Sequence, residues 1–309
     1  CVYAPNTFIF MCLRALQAIA ACTFVVARAI VRDTTETQAS GSKIAYISMG
    51  TAICPMFGPA LGGLMDGWFG WEANFWFIGG LGLFILVIAY FDLGETVPEN
   101  TQGFRQQFSE YPELLLSRRF WGYCLASAFG AGAFFAYLGG GPFVGSIVYN
   151  LSPEMLGLYF GAPAIGYFFG NFLSGRFTIR FGIDAMILWG LWIIFSGLSL
   201  SMVCSYIGYG TVETFFGFMI FVGLGNGLTI PNATAGMLSV RPHLAGTASG
   251  LGGAMMIAIG AALSTLAGAF LVPGSNEMPL LMLMWFSSLS GVAVIIYVGQ
   301  RNKKLKKSV

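Results

Sequence analysis

All but one of the 15 lysines and arginines of this chain fall on one side of its apolar stretches, and that alternation restricts what it can fold into. An α-helix that crosses a hydrocarbon layer roughly 30 Å thick needs about 20 mostly apolar residues. Nine stretches meet this length: Thr7 to Ile30, Ile44 to Met65, Asn74 to Phe91, Phe120 to Val144, Leu156 to Leu173, Ile183 to Met202, Val212 to Pro231, Ala245 to Val272 and Pro279 to Val298. Alternate connections hold Arg28, Arg32 and Lys43, then Arg105, Arg118 and Arg119, then Arg176 and Arg180, then Arg241, and last Arg301, Lys303, Lys304, Lys306 and Lys307. The opposite connections carry no basic residue, only Asp66, Glu72, Glu154, Glu213 and Glu277. Short loops rich in Lys and Arg stay in the cytoplasm, so the pattern predicts an all-α, multi-pass membrane protein with a cytoplasmic C-terminus.

Composition agrees. Of 309 residues, 56% are hydrophobic and 9% charged, where a soluble domain carries about 25% charge. The bilayer is therefore a partner of the chain. Nucleic acid is not, because the net charge of +2 includes just one basic cluster, at the C-terminus, and a nucleic-acid binder needs a basic face. Six cysteines lie in apolar surroundings without metal-ligand spacing, and the single histidine, His243, has no nearby partner residue to make a site. No metal, cofactor or disulfide framework is expected.

The longest connection is polar and separates three spans from six, which predicts four segments: a remainder of an N-terminal bundle at 1–91, a cytoplasmic central loop at 92–119, a six-helix C-terminal bundle at 120–298 and a basic cytoplasmic tail at 299–309. Six helices make one half of a transporter plan built from two six-helix bundles. Cys1 is not a Met, and nine crossings with the C-terminus inside place it outside, at the end of an earlier crossing. The expectation is a fragment holding nine of twelve helices.

Within the first span, Arg14 lies about eight residues deep, roughly 12 Å at helical rise. A guanidinium at that depth is costly unless it faces a partner or a water-filled path. A transport-site role competes there with a structural ion pair or with snorkelling to the interface. The second span places Pro55, Gly58, Pro59, Gly62 and Gly63 in one helix. Proline removes a backbone donor and bends the helix, while glycine admits a neighbouring backbone. This pattern suits a conformational element, against the plainer reading of tight packing.

Trp68, Trp71, Phe75 and Trp76 flank a short outer loop and read as an interfacial belt. In the fourth span Phe134, Phe135 and Tyr137 alternate with small residues, and such faces suit flat, lipophilic solutes, or equally lipid. Asn226 lies in a glycine-rich seventh span, and Gly246 to Gly250 has the spacing of a close helix contact.

The string RALQAIAACTFVVARAIVRD resembles the Arg-containing fourth-helix motif of drug:proton antiporters of the major facilitator superfamily, notably Bcr/CflA-type bicyclomycin and chloramphenicol exporters. Arg14 and Gln17 match its core, and Ala18 replaces a usual Gly. CPMFGPALGG resembles the fifth-helix antiporter motif, with Cys54 in place of its first Gly. GNFLSGRFTIRFG resembles the second-half copy of the superfamily's Gly- and Arg-rich loop, and FVGLGNGLTIPNATAGML with AGTASGLGGAMMIAIGAAL resemble the tenth and eleventh helices.

The resemblance implies a major facilitator fold and export of amphipathic drugs by proton antiport through alternating access. It implies action as a monomer in the inner membrane, with substrate or protons passing Arg14, Gln17, Phe134, Phe135, Tyr137 and Asn226. It also implies that the proton-coupling acid lies in an earlier helix, since the acidic residues here fall in loops or near span ends, with Asp66 the nearest approach. A metabolite permease for a sugar or organic acid is the alternative, though polar cavity residues are few. A membrane enzyme would cluster His, Asp or Glu at one face, and no such cluster is visible. A purely structural or receptor role leaves Arg14 and the two prolines unexplained.

Overall fold

The computed structural model describes residues 1–21, 61–92, 114–241 and 244–307, with the isolated positions 23, 58, 94 and 112. All regular structure among these residues is helical. The chain divides into two compact units, Cys1–Thr101 and Gln102–Val309.

In the first unit, helix α1 covers Thr7–Gln17. The side chain of Asn6 caps it by accepting the Ile9 amide at 2.9 Å, satisfying one of the donors that the first turn leaves free. Past Gln17 the backbone tightens into a 3₁₀ turn at Ala18–Ala21. The rest of the expected first span and most of the second, including Pro55 and Pro59, lie outside the described residues. A helical stretch at 61–69 ends at Gly70, whose φ of 82° a side-chain-bearing residue adopts only with strain. Helix α2, Glu72–Asp92, follows. It is apolar all round and buries none of its residues, as expected of a helix bathed in lipid.

The second unit opens with α3, Arg118–Phe143, capped by Ser117 and carrying Pro142 near its end. A π-helical turn at Val144–Val148 continues it. Next come α4 (Pro153–Phe160), α5 (Ala162–Phe181), α6 (Ile183–Tyr206), α7 (Val212–Val240), α8 (Ala245–Phe270) and α9 (Met278–Lys307).

Six helices among the described residues are long and apolar enough to cross a membrane: α2, α3 with its π turn, α6, α7, most of α8 and α9. The expectation of nine spans is therefore corrected downward for what is described. The expected fifth span, Leu156 to Leu173, is broken at Gly161 into α4 and α5. Pro163 starts the second piece, in the first turn where a missing N–H costs least. Helix α5 also carries Asn171, Ser174, Arg176, Thr178 and Arg180, which reduce its apolar character. The fold class is unaffected.

Two helices organise the second unit. Helix α7 packs most extensively on α5 and α6, and α3 on α8 and α9, with α3 and α7 also in contact. Backbones meet directly where α5 crosses α7. A Cβ added to Gly166 would lie 1.9 Å from the Ile220 carbonyl oxygen, and one on Gly223 1.7 Å from that of Pro163. Gly170 and Gly227, one turn on, repeat the arrangement. Without a hydrophobic drive between helices in lipid, such close approach is what holds them together. The contact expected from Gly246 to Gly250 is not found at Gly250 among the described residues, none of which comes within 4 Å of a Cβ position there.

Hydrogen bonds across helices pin the register. Tyr123 donates to Asp184 Oδ1 at 2.7 Å, Trp285 Nε1 to Ser199 Oγ at 2.9 Å, and Ser287 Oγ to the Phe129 carbonyl at 2.7 Å.

Candidate functional site

In the first unit Arg14 and Gln17 stand one turn apart on the same face of α1, as i and i+3 positions must. Arg14 Nη1 donates to Gln17 Oε1 at 2.5 Å. The guanidinium carbon also lies 5.8 Å from the centre of the Phe75 ring on α2, within cation–π range. Phe75 in turn belongs to an edge-to-face group with Phe10 at 6.1 Å and Trp71 at 5.6 Å. One of the five guanidinium donors is thereby used and the rest of the group is exposed. Such a group can hold an anionic or carbonyl-bearing partner. It cannot carry a proton itself, because arginine stays protonated throughout the ordinary pH range.

The motif glycines of this unit are placed in part. Gly58 and Gly62 are in helical conformation, and the Gly62 carbonyl accepts Asn74 Nδ2 at 3.2 Å. That bond ties the stretch at 61–69 to the first turn of α2. Gly63 lies in the same stretch, partly buried.

In the second unit Tyr137 is fully buried. Its ring stacks on Phe160 at 4.6 Å and meets the edge of Phe216 at 6.2 Å, and its hydroxyl donates to the Phe160 carbonyl at 3.2 Å. Phe134 lies 6.4 Å from both Tyr137 and Phe135. Phe135 covers α8 at Gly260, where a Cβ would come within 2.4 Å of the ring. Phe134 and Phe135 keep part of their surface open, whereas Tyr137 in this conformation supports them from behind.

Asn226, the middle residue of α7, sits apart from these rings. It is 3% exposed, and its Nδ2 donates to the Val222 carbonyl at 3.0 Å. Its Oδ1 has no hydrogen-bond partner and faces Gly130 of α3, where a Cβ would be 3.2 Å away. Thr229 Oγ1, one turn further, is likewise unpartnered. Buried polar atoms without a hydrogen-bond partner are costly. Asn232 contrasts with them: Nδ2 donates to Ser174 Oγ at 2.7 Å and to the Leu228 carbonyl at 2.8 Å, and Oδ1 accepts from Thr178 Oγ1 at 2.9 Å.

Comparison with known proteins decides the family. The model described as Major Facilitator Superfamily matches residues 1–265. The chain belongs to the major facilitator superfamily.

This major facilitator chain is 27% identical over 307 residues to a bicyclomycin resistance protein homolog of Haemophilus influenzae, covering 96% of the chain and 74% of that protein. A chloramphenicol resistance protein of Pseudomonas aeruginosa is 31% identical over 265 residues, covering 82% of the chain and 61% of that protein. Among solved structures, a bacterial homolog of the human lysosomal transporter Spinster, inward-facing and occupied, gives a TM-score of 0.57 over 88% of this chain and 70% of that one. At 18% identity that likeness shows the fold alone. The chain is thus a multi-pass membrane protein of the superfamily, and its family and relatives point to a transporter rather than an enzyme.

Three residues of this major facilitator chain escaped the sequence reading. Phe75 counted only as part of an interfacial belt, because sequence spacing gives no sign that α2 brings it beside Arg14. Thr229 offered no signal at all. Glu277 read as an outer-loop charge, yet it is 6% exposed and accepts a hydrogen bond from Ser205 Oγ. Beside it, burial first, then the charges of Glu277 and Glu213, hold the Tyr149 hydroxyl well above the ordinary phenol range.

Proposed function

We propose that the chain exports amphipathic drugs or toxic compounds by proton antiport, the two halves of the transporter rocking about a central site in alternating access. Relatives named for bicyclomycin and chloramphenicol resistance support the drug assignment. The observation that carries the site assignment is Arg14, bonded to Gln17 and lying against Phe75 inside an apolar segment.

In this mechanism Arg14 acts on protons indirectly. A carboxylate brought within about 4–6 Å of it holds its negative charge more strongly and gives up its proton more readily, which leaves that carboxylate free to receive drug. Protons and drug then compete for one site, which is what antiport requires. Gln17 fixes the guanidinium in one geometry. Phe134, Phe135 and Tyr137 offer aromatic surface to lipophilic substrate, and Asn226 supplies an acceptor. Pro55, Gly58, Pro59, Gly62 and Gly63 form the bend through which one half moves. The protein works as a monomer in the inner membrane, with its C-terminal tail in the cytoplasm and the loop at 92–119 joining the halves.

The test is resistance. A drug-sensitive bacterium expressing the full-length gene should tolerate chloramphenicol or bicyclomycin at several-fold higher concentration, and a protonophore should raise drug accumulation in it to the level of the empty-vector strain. Unchanged tolerance across a panel of lipophilic drugs, with uptake of a sugar or organic acid instead, would replace the proposal by a metabolite permease.

A further inference from the structure

Arginines from three helices converge on one cavity at the end of the second unit that the positive bias assigns to the cytoplasm. The cavity encloses about 470 Å³ and is lined by Ser117, Arg118 and Arg119 at the start of α3, Arg241 just past α7 and Arg301 near the end of α9. None of its described lining residues is acidic. Arginine does not lose its proton at accessible pH, so the cavity carries a fixed, concentrated positive charge.

The groups around it are prepared to donate. Arg119 Nε is buried and has no hydrogen-bond partner among the described residues, so the charge of this guanidinium is incompletely compensated on its buried side. The first turn of α3 also lies there, its Phe120 amide capped by Ser117 Oγ, and forms the positive end of the helix dipole. Opposing this, the C-terminal carbonyls of α7 carry only partial charge, and Arg241 Nη1 already donates to that of Val240 at 3.4 Å. The guanidinium groups of Arg118, Arg119 and Arg301 outweigh it. Beyond Arg301, α9 continues to Lys307.

A second feature identifies the anion. From Arg118 an apolar groove of about 400 Å³ runs between α3 and α9, lined by Trp121, Leu125, Val294 and Tyr297. Arg118, Trp121 and Leu125 recur at helical spacing on one face of α3, as Val294, Tyr297 and Arg301 do on α9. The same pair of faces therefore offers a cationic cavity at its end and a hydrophobic channel beside it. A free anion would use only the first of these. A molecule with a phosphate at one end and an acyl chain at the other uses both.

We infer that this is a binding site for an anionic phospholipid, with the headgroup phosphate in the arginine cavity and an acyl chain in the α3–α9 groove. The site lies in the cytoplasmic leaflet, where anionic lipids and basic clusters attract each other. It rests on the membrane orientation and is independent of the transported substrate.

Native mass spectrometry of the detergent-purified protein, titrated with phosphatidylglycerol, phosphatidylcholine or inorganic phosphate, tests it. Phosphatidylglycerol should be retained at least tenfold better than phosphatidylcholine. The R119Q/R301Q variant should lose retention by about 25-fold, since each basic residue near such a headgroup contributes about fivefold, while R119K/R301K should keep most of it. Ala293→Trp, which fills the groove and keeps all four arginines in the chain, should weaken phosphatidylglycerol binding and leave inorganic phosphate binding unchanged. This last variant and Arg118→Gln, both at exposed positions, decide the matter should the double variant elute as an aggregate. Equal retention of the two lipids by the wild type, or phosphate binding without any lipid preference, would overturn the inference.

Discussion

Gly223 of α7 faces Pro163 of α5 so closely that a Cβ on the glycine would lie 1.7 Å from the proline carbonyl oxygen. Backbone cannot rotate aside as a side chain can, so Gly223→Ala must push the two helices apart. A loss near the upper end of the ~1–3 kcal/mol typical of overpacking is expected in thermal or denaturant unfolding of the purified protein. Gly250→Ala is the control, because no described residue comes within 4 Å of its Cβ position. There alanine's better helix propensity should leave stability unchanged or raise it by about 0.5–1 kcal/mol. Equal losses at the two positions would remove close backbone contact as the reason for the glycines.

Arg14 should tolerate neither alanine nor lysine. Alanine removes the charge, and lysine keeps it but loses the planar fork that serves Gln17 and Phe75 together. Both variants should reach the membrane at wild-type levels and confer less than a tenth of the wild-type gain in drug tolerance. Gln17→Ala should retain an intermediate fraction. Full tolerance in Arg14→Ala would make the residue structural.

Buried polar residues of α7 should respond in opposite directions. Asn232 joins three hydrogen bonds with α5 and its own helix, each worth ~0.6 kcal/mol on average in membrane proteins, so Asn232→Ala should cost about 2 kcal/mol. Thr229 Oγ1 has no partner, and Thr229→Val exchanges that hydroxyl for a methyl group of similar size. Its melting temperature should equal or exceed that of the wild type, as measured by thermal unfolding in detergent.

Alkaline pH should expose the Tyr149 environment. The folded state holds this phenol's proton more tightly than the unfolded chain does, through burial and then the charges of Glu277 and Glu213. Above pH about 10 the unfolded chain releases that proton first, so its contribution to stability is complete below this value and declines as pH rises. Tyr149→Phe should therefore flatten the fall in unfolding free energy between pH about 10 and 11, followed by denaturant titration. A steeper fall in the variant would reverse the sign assigned to the group.

Much of the fold was legible because lipid imposes a simple rule: every backbone group must be satisfied within its own segment. The expected third, fourth, sixth, seventh, eighth and ninth spans each correspond to a helix long and apolar enough to cross the membrane. What escaped depends on direction. Spacing marked Gly246 and Gly250, yet it is Gly166 and Gly223 that meet a neighbouring backbone, because a run of small residues does not say which face meets which helix. The break at Gly161 was hidden by continuous hydrophobicity on both sides of it. Around the candidate site, Arg14 and Gln17 were brought together by the resemblance to the antiporter motif, while Phe75 depended on packing between α1 and α2. Glu277 was misjudged because loop carboxylates are usually solvated, and its burial comes from the ends of helices far apart in sequence.

Transport in everted membrane vesicles from cells expressing the full-length gene probes the proposed coupling most directly. With an acid interior, wild-type vesicles should accumulate labelled chloramphenicol and release protons in the same interval, and Arg14→Ala vesicles should do neither. Accumulation that proceeds equally without a pH gradient, or that survives in Arg14→Ala, would contradict proton-driven export through this residue.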